Sequence, residues 1–98
     1  MEKSRKDYPV YLGVLKYFPD AIREVSLASV AGNKQHVPGE PLHWDREKSK
    51  DDGDALVRHL LDTEKFDTDG VRHLAKVAWR ALALLQKEIE NEYKNTTL

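Results

Sequence analysis

The sequence predicts a compact all-α domain that assembles as a homo-oligomer, with a long antiparallel helix pair and a shorter N-terminal helix. Three observations support this fold class. Two long segments repeat apolar residues at the spacing of an amphipathic helix, a third segment begins at a proline, and no segment alternates as a strand does. Residues 1–98 are interpreted as a single domain, frayed at residues 1–7 and 94–98.

The N-terminal region combines an aromatic lead-in with the first helix. Residues 7–18 are rich in aromatic side chains and interrupted by Pro9 and Gly13, which predicts an extended or short helical lead-in packed against the body. The helix is predicted to begin at Pro19, because the first turn of a helix leaves its N–H groups unbonded anyway. It is predicted to end at Gly32, since glycine readily adopts the conformation that stops a helix.

The segment from Gly32 to Asp45, GNKQHVPGEPLHWD, is the least regular part of the chain. It contains two of the five glycines and two of the four prolines. Long irregular segments in small domains are usually functional or disordered. Leu42 and Trp44 give this one apolar character, so it is interpreted as an ordered, ligand-facing loop. Two roles are open for Trp44, stacking on a base or pinning the loop, and pinning is favoured.

Two further helices follow the loop. The second is predicted over residues 50–62, and its buried side is predicted to consist of Leu56, Val57, Leu60 and Leu61. The third is predicted over residues 71–93, with an apolar stripe of Val71, Leu74, Ala75, Ala78, Ala81, Leu82, Leu85 and Ile89. Because this stripe is wider than two shorter helices can cover, oligomer formation is its simplest explanation.

Composition excludes several classes of function. The net charge of −1 argues against a broad electrostatic hold on duplex nucleic acid. The chain has no cysteine and no apolar run of the ~18 residues that span a bilayer, which predicts a cytoplasmic protein without a membrane partner.

Catalytic and metal-binding patterns are weak. The glutamates that a magnesium-dependent pyrophosphatase would group are scattered, with Glu24 alone and Glu88, Glu90 and Glu92 spread around the last helix. The histidines are His36, His43, His59 and His73, and a metal site could be assembled from His59 with Asp62. No His-x-x-x-His pair fixes two ligands locally, so no catalytic residue, no metal ligand and no cofactor is predicted.

A nucleotide pocket is the pattern the residues favour. Phosphates need cations, and bases need aromatic faces. The predicted ligand-binding residues lie around the first helix and on the later ones: Tyr17, Phe18, Lys34, His36, Arg58 and Arg72. Arg72, Lys76 and Arg80 recur at i, i+4 and i+8. Taken singly, each is interpreted as part of a solvated face paired with glutamates, but together with the loop these cations favour an anionic ligand.

From Tyr17 to Glu90 the chain resembles small phage proteins of the "dATP/dGTP diphosphohydrolase, N-terminal" family. The motifs that carry the resemblance are Gly-x-x-Gln-His, Leu-His-Trp, Arg-His-Leu, Asp-Gly-x-x-His and Ala-Trp-Arg-Ala-Leu-Ala-Leu-Leu-Gln. This family implies hydrolysis of purine deoxynucleotides.

More distantly, the chain is similar to the phage anti-CBASS protein 2 sponges, homo-hexamers that sequester cyclic di- and trinucleotides without cleaving them. The resemblance implies that Tyr17 or Phe18, Lys34 with His36, and Arg58 or Arg72 clasp a ligand between protomers.

We therefore predict a phage sponge in the host cytoplasm that binds cyclic oligonucleotides and blocks CBASS signalling. Two alternatives remain: a dATP/dGTP diphosphohydrolase-like enzyme, and a helical interaction protein without a ligand.

Overall fold

The computed structural model describes residues 2–96, and the side chains of residues 2–94. Its α-helices are α1, Pro19–His36; α2, Asp52–Leu61; and α3, His73–Thr96. Shorter helical turns span Arg5–Asp7, Tyr11–Leu15 and Arg46–Lys48. Within the described residues the only β-type pairing is an isolated bridge between Phe66 and Arg72, so the all-α class is confirmed. No helix in this part of the chain has the length and apolar character needed to cross a membrane.

Helix α3 lies at the centre of the fold and packs against both other helices. Its pairing with α2 is antiparallel, as predicted. His59 near the end of α2 meets His73 at the start of α3, whereas Asp52 at the start of α2 bonds Arg80 and Lys87 further along α3.

Helix α1 crosses α3 in the parallel sense. Its Glu24 accepts a hydrogen bond from Arg72 at 2.8 Å, and one turn later Ser29 accepts one from the indole of Trp79 at 2.7 Å. This pairing places the middle and second half of α1 beside the N-terminal part of α3.

The helix boundaries agree with the sequence prediction except at the end of α1. The start at Pro19 is confirmed, but α1 continues through Gly32 to His36, so the predicted stop at Gly32 is wrong. With 18 residues, α1 is longer than α2, which has 10, rather than the shorter helix that was predicted. The predicted fraying at Met1 and at residues 97–98 lies outside the described residues.

The aromatic lead-in does not pack against the body of this chain, contrary to the prediction. Every residue from 2 to 21 is exposed, including Tyr8, Tyr11 and Leu12. Its helical turn at Tyr11–Leu15 is wider than an α-helix, because the N–H of Lys16 donates to the carbonyl of Tyr11.

The buried faces of α2 and α3 differ from the prediction. Val57, Leu60 and Leu61, predicted to be buried, are exposed, and so are the α3 residues Leu74, Leu82 and Leu85 at 69%, 53% and 51%. The buried apolar residues are instead small: Ala55, Val71, Ala75 and Ala83. The stripe formed by Leu74, Ala78, Ala81, Leu82 and Leu85 is called the leucine face below.

Helix α3 turns its cations inward. The side chains of Lys76 and Arg80 are only 16% and 21% exposed, so their interpretation as a solvated face is wrong. Trp79 lies between them, and Lys87 continues the same face. The charged side of α3 therefore builds the interior of this chain, and the leucine face points away from it.

Candidate functional site

A cavity of about 240 Å³ lies between the second half of α1, the loop that follows it and α3. Its wall includes His36 and His43, the two tryptophans Trp44 and Trp79, and the cation of Lys48. It is the part of the described chain where aromatic, cationic and imidazole groups converge around open space.

The loop wall of the cavity is held in place by side chains from both of its ends. The amide of Asn33 donates to the carbonyl of Glu40 at 2.9 Å and accepts from the backbone N–H of His43 at 3.3 Å. The ammonium of Lys48 donates to the carbonyl of His36 at 2.6 Å, satisfying a carbonyl at the last turn of α1. These bonds fold the loop back along α1, so the prediction of an ordered loop is confirmed.

Trp44 fixes the loop to α3. Its ring meets that of Trp79 edge-on, with centroids 5.5 Å apart and planes at 81°, a favoured aromatic geometry. The guanidinium of Arg46 lies 4.2 Å from the centroid of Trp44, and Arg46 also pairs with Glu90. Trp44 thus pins the loop, as predicted.

The indole N–H of Trp44 is buried and has no hydrogen-bond partner among the described residues. Trp79 is the natural comparison, because its own indole N–H donates to Ser29. A buried donor left unsatisfied costs about 1–3 kcal/mol, and this one belongs to a residue that lines the cavity.

A buried ionic network closes the floor beneath the cavity. The carboxylate of Asp52, at the start of α2, accepts from Ser49 at 2.7 Å, Arg80 at 2.7 Å and Lys87 at 2.6 Å. Lys87 also donates to the carbonyl of Ser49. Burial alone would raise the pKa of Asp52, but these hydrogen bonds outweigh it and lower the pKa below its ordinary value. The network holds Arg80 in a fixed position.

Two histidines and an aspartate meet beside the cavity, of which His59 forms part of the wall. The Nδ1 atoms of His59 and His73 are 2.9 Å apart and share a hydrogen bond. One of the two nitrogens therefore carries the hydrogen and is the donor, and the other is the acceptor. A ligand atom of Asp67 lies within 4.8 Å of both. Burial lowers the pKa of His59, and the charges of Lys76 and His73 lower it further.

The link between α2 and α3 positions Asp67. The N–H of Asp67 donates to the carbonyl of Val71 at 2.8 Å, and Gly70 adopts a φ of +84° that closes the turn between them. The ammonium of Lys76 then bonds Asp67 at 2.7 Å and Asp69 at 2.6 Å. The hydrogen bonds from Lys76 and from the N–H of Thr68 lower the pKa of Asp67 to about 2, so this carboxylate is an anion at neutral pH.

Comparison with known families identifies the chain. The profile of the "dATP/dGTP diphosphohydrolase, N-terminal" family matches residues 2–97, almost the whole sequence. The chain belongs to this family. No curated protein and no solved structure matches it. The family resemblance inferred from the motifs is therefore confirmed, whereas the more distant similarity to the anti-CBASS sponges stays a prediction.

The structure places one predicted ligand residue of this family member, His36, in the cavity wall. The other five are exposed and do not line it. Tyr17 and Phe18 are exposed before α1, Lys34 is exposed near its end, Arg58 pairs with Asp51 at 3.2 Å, and Arg72 pairs with Glu24 at 2.8 Å. Binding by these residues stays a prediction, and within one chain they do not form a single pocket.

Sequence analysis missed Trp79, Lys76 and Arg80 as wall residues and did not place Asp67 near the histidines. A signal was present in the charges. Cations on one face of the last helix are matched by aspartates at the start of α2 and in the link between α2 and α3, and a helix face with matching acids elsewhere can be buried through ion pairs.

Proposed function

We propose that this chain binds a purine nucleotide in the cavity and holds it without cleaving it. The observation that carries the proposal is the cavity lined by Trp44, Trp79, His36 and Lys48, in which the indole N–H of Trp44 is buried, lacks a partner among the described residues, and becomes available to a ligand when the Trp44 ring turns toward the open space. A base or phosphate oxygen accepting from this group would remove its desolvation cost. The family description, which names dATP and dGTP, supports a purine nucleotide as the ligand class.

The size of the cavity limits what one chain can enclose. Its volume of about 240 Å³ is below the ~300–1,000 Å³ of sites that surround drug-sized ligands. It suits one base or nucleoside better than a whole cyclic oligonucleotide. The rest of such a ligand would extend from the mouth.

The charges near the cavity favour phosphate contacts at Lys48. Lys76 and Arg80 are already paired with aspartates, but Lys48 bonds only the carbonyl of His36 and forms no ion pair within the described residues. Its ammonium therefore has the least competition for a phosphate oxygen. His36 and His43 supply further donors in the same wall.

A homo-oligomer would complete the site. Tyr17, Phe18, Lys34, Arg58 and Arg72 are all exposed, and the leucine face leaves large apolar side chains in water. Burying such a patch against a second copy is favourable by about 25 cal/mol per Å². We infer that protomers assemble through the leucine face and that the exposed cations of one reach a ligand held by another. On this arrangement the ligand is a cyclic oligonucleotide, and the protein acts as a sponge that blocks CBASS signalling.

The test is retention of intact ligand. The protein is incubated with 3',3'-cGAMP, dATP or dGTP, freed of unbound nucleotide, denatured by heat, and the supernatant is chromatographed. Unchanged nucleotide supports sequestration. Trp44→Phe keeps an aromatic ring, a smaller one, and removes the N–H; it is expected to weaken binding about tenfold, equivalent to about 1.4 kcal/mol.

Trp79→Phe is the matched control, because it also removes an indole N–H, but one that Ser29 already satisfies. It is expected to lower the melting temperature and to leave affinity largely unchanged. If the two variants weaken binding equally, or if no nucleotide binds, the proposal fails.

Hydrolysis is the second candidate. Two observations favour it: the family description names a diphosphohydrolase, and His59 in the cavity wall belongs to a cluster with Asp67 and His73. Release of nucleoside monophosphate and pyrophosphate from dATP or dGTP, dependent on a divalent metal, would support hydrolysis and exclude a pure sponge.

A further inference from the structure

We propose that His59, His73 and Asp67 form a binding site for a divalent first-row transition-metal ion. Their candidate ligand atoms lie within 4.8 Å of one another, and they come from three different segments: the end of α2, the link, and the first residue of α3. Two imidazoles and one carboxylate are a donor set that such ions favour. The inference goes beyond the proposed nucleotide binding and does not depend on it.

The separation of the two imidazole nitrogens suits neighbouring ligands at a right angle. For metal–nitrogen bonds of about 2.0–2.1 Å, nitrogens 2.9 Å apart subtend an angle of about 90° at the metal. A tetrahedral ion would need them about 3.3–3.4 Å apart. His59 and His73 are thus spaced for neighbouring positions of an octahedral, square-pyramidal or square-planar ion, of which Co²⁺ and Mn²⁺ adopt the octahedral form, and the positions not filled by protein remain open to water or a ligand.

Three carboxylates lie beside the cluster. Asp67 and Asp69 pair with Lys76, and Asp62 stands 3.5 Å from Nε2 of His73. Acidic groups are therefore close to both imidazoles.

Groups behind the ligands hold them in orientation. Asp62 stands 3.5 Å from Nε2 of His73 and favours a proton on that nitrogen, which leaves Nδ1 free for the metal position, as outer-shell carboxylates do in known sites. The backbone of His73 is itself fixed, because its N–H donates to the carbonyl of Lys65 at 3.1 Å. His73 is 6% exposed.

Lys76 is the internal competitor of the metal. Its ammonium bonds the same carboxylate that would coordinate the ion, at 2.7 Å. Metal binding therefore requires Asp67 to share its oxygens, while Asp69 retains Lys76 at 2.6 Å. Removing this ammonium should strengthen metal binding, an effect that a merely structural histidine pair would not show.

The experiment measures metal binding to the whole chain without nucleotide. After treatment with a chelator and dialysis, the protein is titrated with Co²⁺, Mn²⁺ and Zn²⁺ by calorimetry, and its melting temperature is recorded with each. We expect binding of one equivalent, a higher melting temperature, and the weak visible absorption of six-coordinate Co²⁺. Bound Mn²⁺ should also broaden the imidazole NMR signals of His59 and His73.

Three variants make the test specific. His59→Gln, at the half-buried ligand, is expected to lower Co²⁺ affinity at least tenfold, whereas His43→Gln, an exposed histidine outside the cluster, should not change it. Lys76→Met is expected to raise affinity at least tenfold. Equal affinity in wild type and His59→Gln would overturn the proposal, and so would broadening of His43 instead of the cluster.

Discussion

Removing the charge of the buried carboxylate of Asp52 is expected to destabilise the fold more than removing any other charge. It is 4% exposed and accepts hydrogen bonds from Ser49, Arg80 and Lys87 at 2.6–2.7 Å. Asp52→Asn keeps the shape of the side chain, but it removes the charge that neutralises two partly buried cations. The free energy of unfolding is therefore expected to fall.

The size of the loss in stability depends on the interactions that Arg80 and Lys87 keep in the Asp52→Asn variant. Breaking a buried pair by removing one member costs about 3–5 kcal/mol. Arg80 retains Asp51 at 3.9 Å, and Lys87 retains the carbonyl of Ser49, so the loss is expected near the lower limit, about 3 kcal/mol. Since the free energy of unfolding of a domain is about 5–15 kcal/mol, this loss would be a large part of it.

The assay is urea unfolding followed by far-UV circular dichroism. Asp54→Asn is the matched control, because Asp54 is exposed in the same first turn and contributes only its favourable interaction with the helix end, about 0.3–1 kcal/mol. If the two variants unfold at the same urea concentration, the buried network does not stabilise the fold and the reasoning is wrong.

Acid adds a second measurement on Asp52. Its hydrogen bonds hold the folded pKa below the ordinary value of 3.8, so the folded state binds fewer protons than the unfolded chain. The stabilisation is present above that value and is lost as the pH falls through the folded pKa. Asp52→Asn should therefore lose less stability than wild type between about pH 5 and pH 3. An equal loss in both proteins would assign acid sensitivity to other carboxylates.

Two further predictions concern glycines and assembly. Gly70→Ala should lower the free energy of unfolding by about 1 kcal/mol, because alanine is disfavoured at the φ of +84° that Gly70 adopts. No steric clash adds to this cost, since no neighbouring atom lies within 4 Å of an added Cβ. Gly53→Ala, inside α2 and equally open, should raise it by about 0.5–1 kcal/mol; changes of the same sign in urea unfolding would contradict both. Leu82→Glu should reduce the mass measured by light scattering after gel filtration, whereas Val30→Glu on α1 should not. A monomeric wild type would refute assembly through the leucine face.

The helices could be predicted from sequence because their signals are local. Pro19 starts α1 where its missing N–H costs nothing, and the apolar spacing of the last helix extends over many turns. The end of α1 was missed because its cause is not local. Asn33 bonds two groups of the loop up to ten residues away, and these bonds stabilise the turn that carries α1 past Gly32.

The orientation of α3 could not be read from periodicity alone. A helix with leucines on one side and cations on another shows two faces, but the pattern does not say which one faces the chain. The deciding partners are Asp52 and Asp67, which lie in other segments and bond Arg80 and Lys76. The meeting of His59 with His73 likewise depends on how the link between α2 and α3 folds back.

The inward cations of α3 also constrain how this protein can hold a phosphate. Because Lys76 and Arg80 are neutralised by aspartates, the cavity of one protomer offers the uncommitted charge of Lys48. Further positive charge must come from the exposed arginines and lysines of a second protomer, or from a metal on His59 and His73. Chelation separates the two sources: affinity provided by a second protomer survives removal of the metal, whereas affinity provided by the cluster is lost with it.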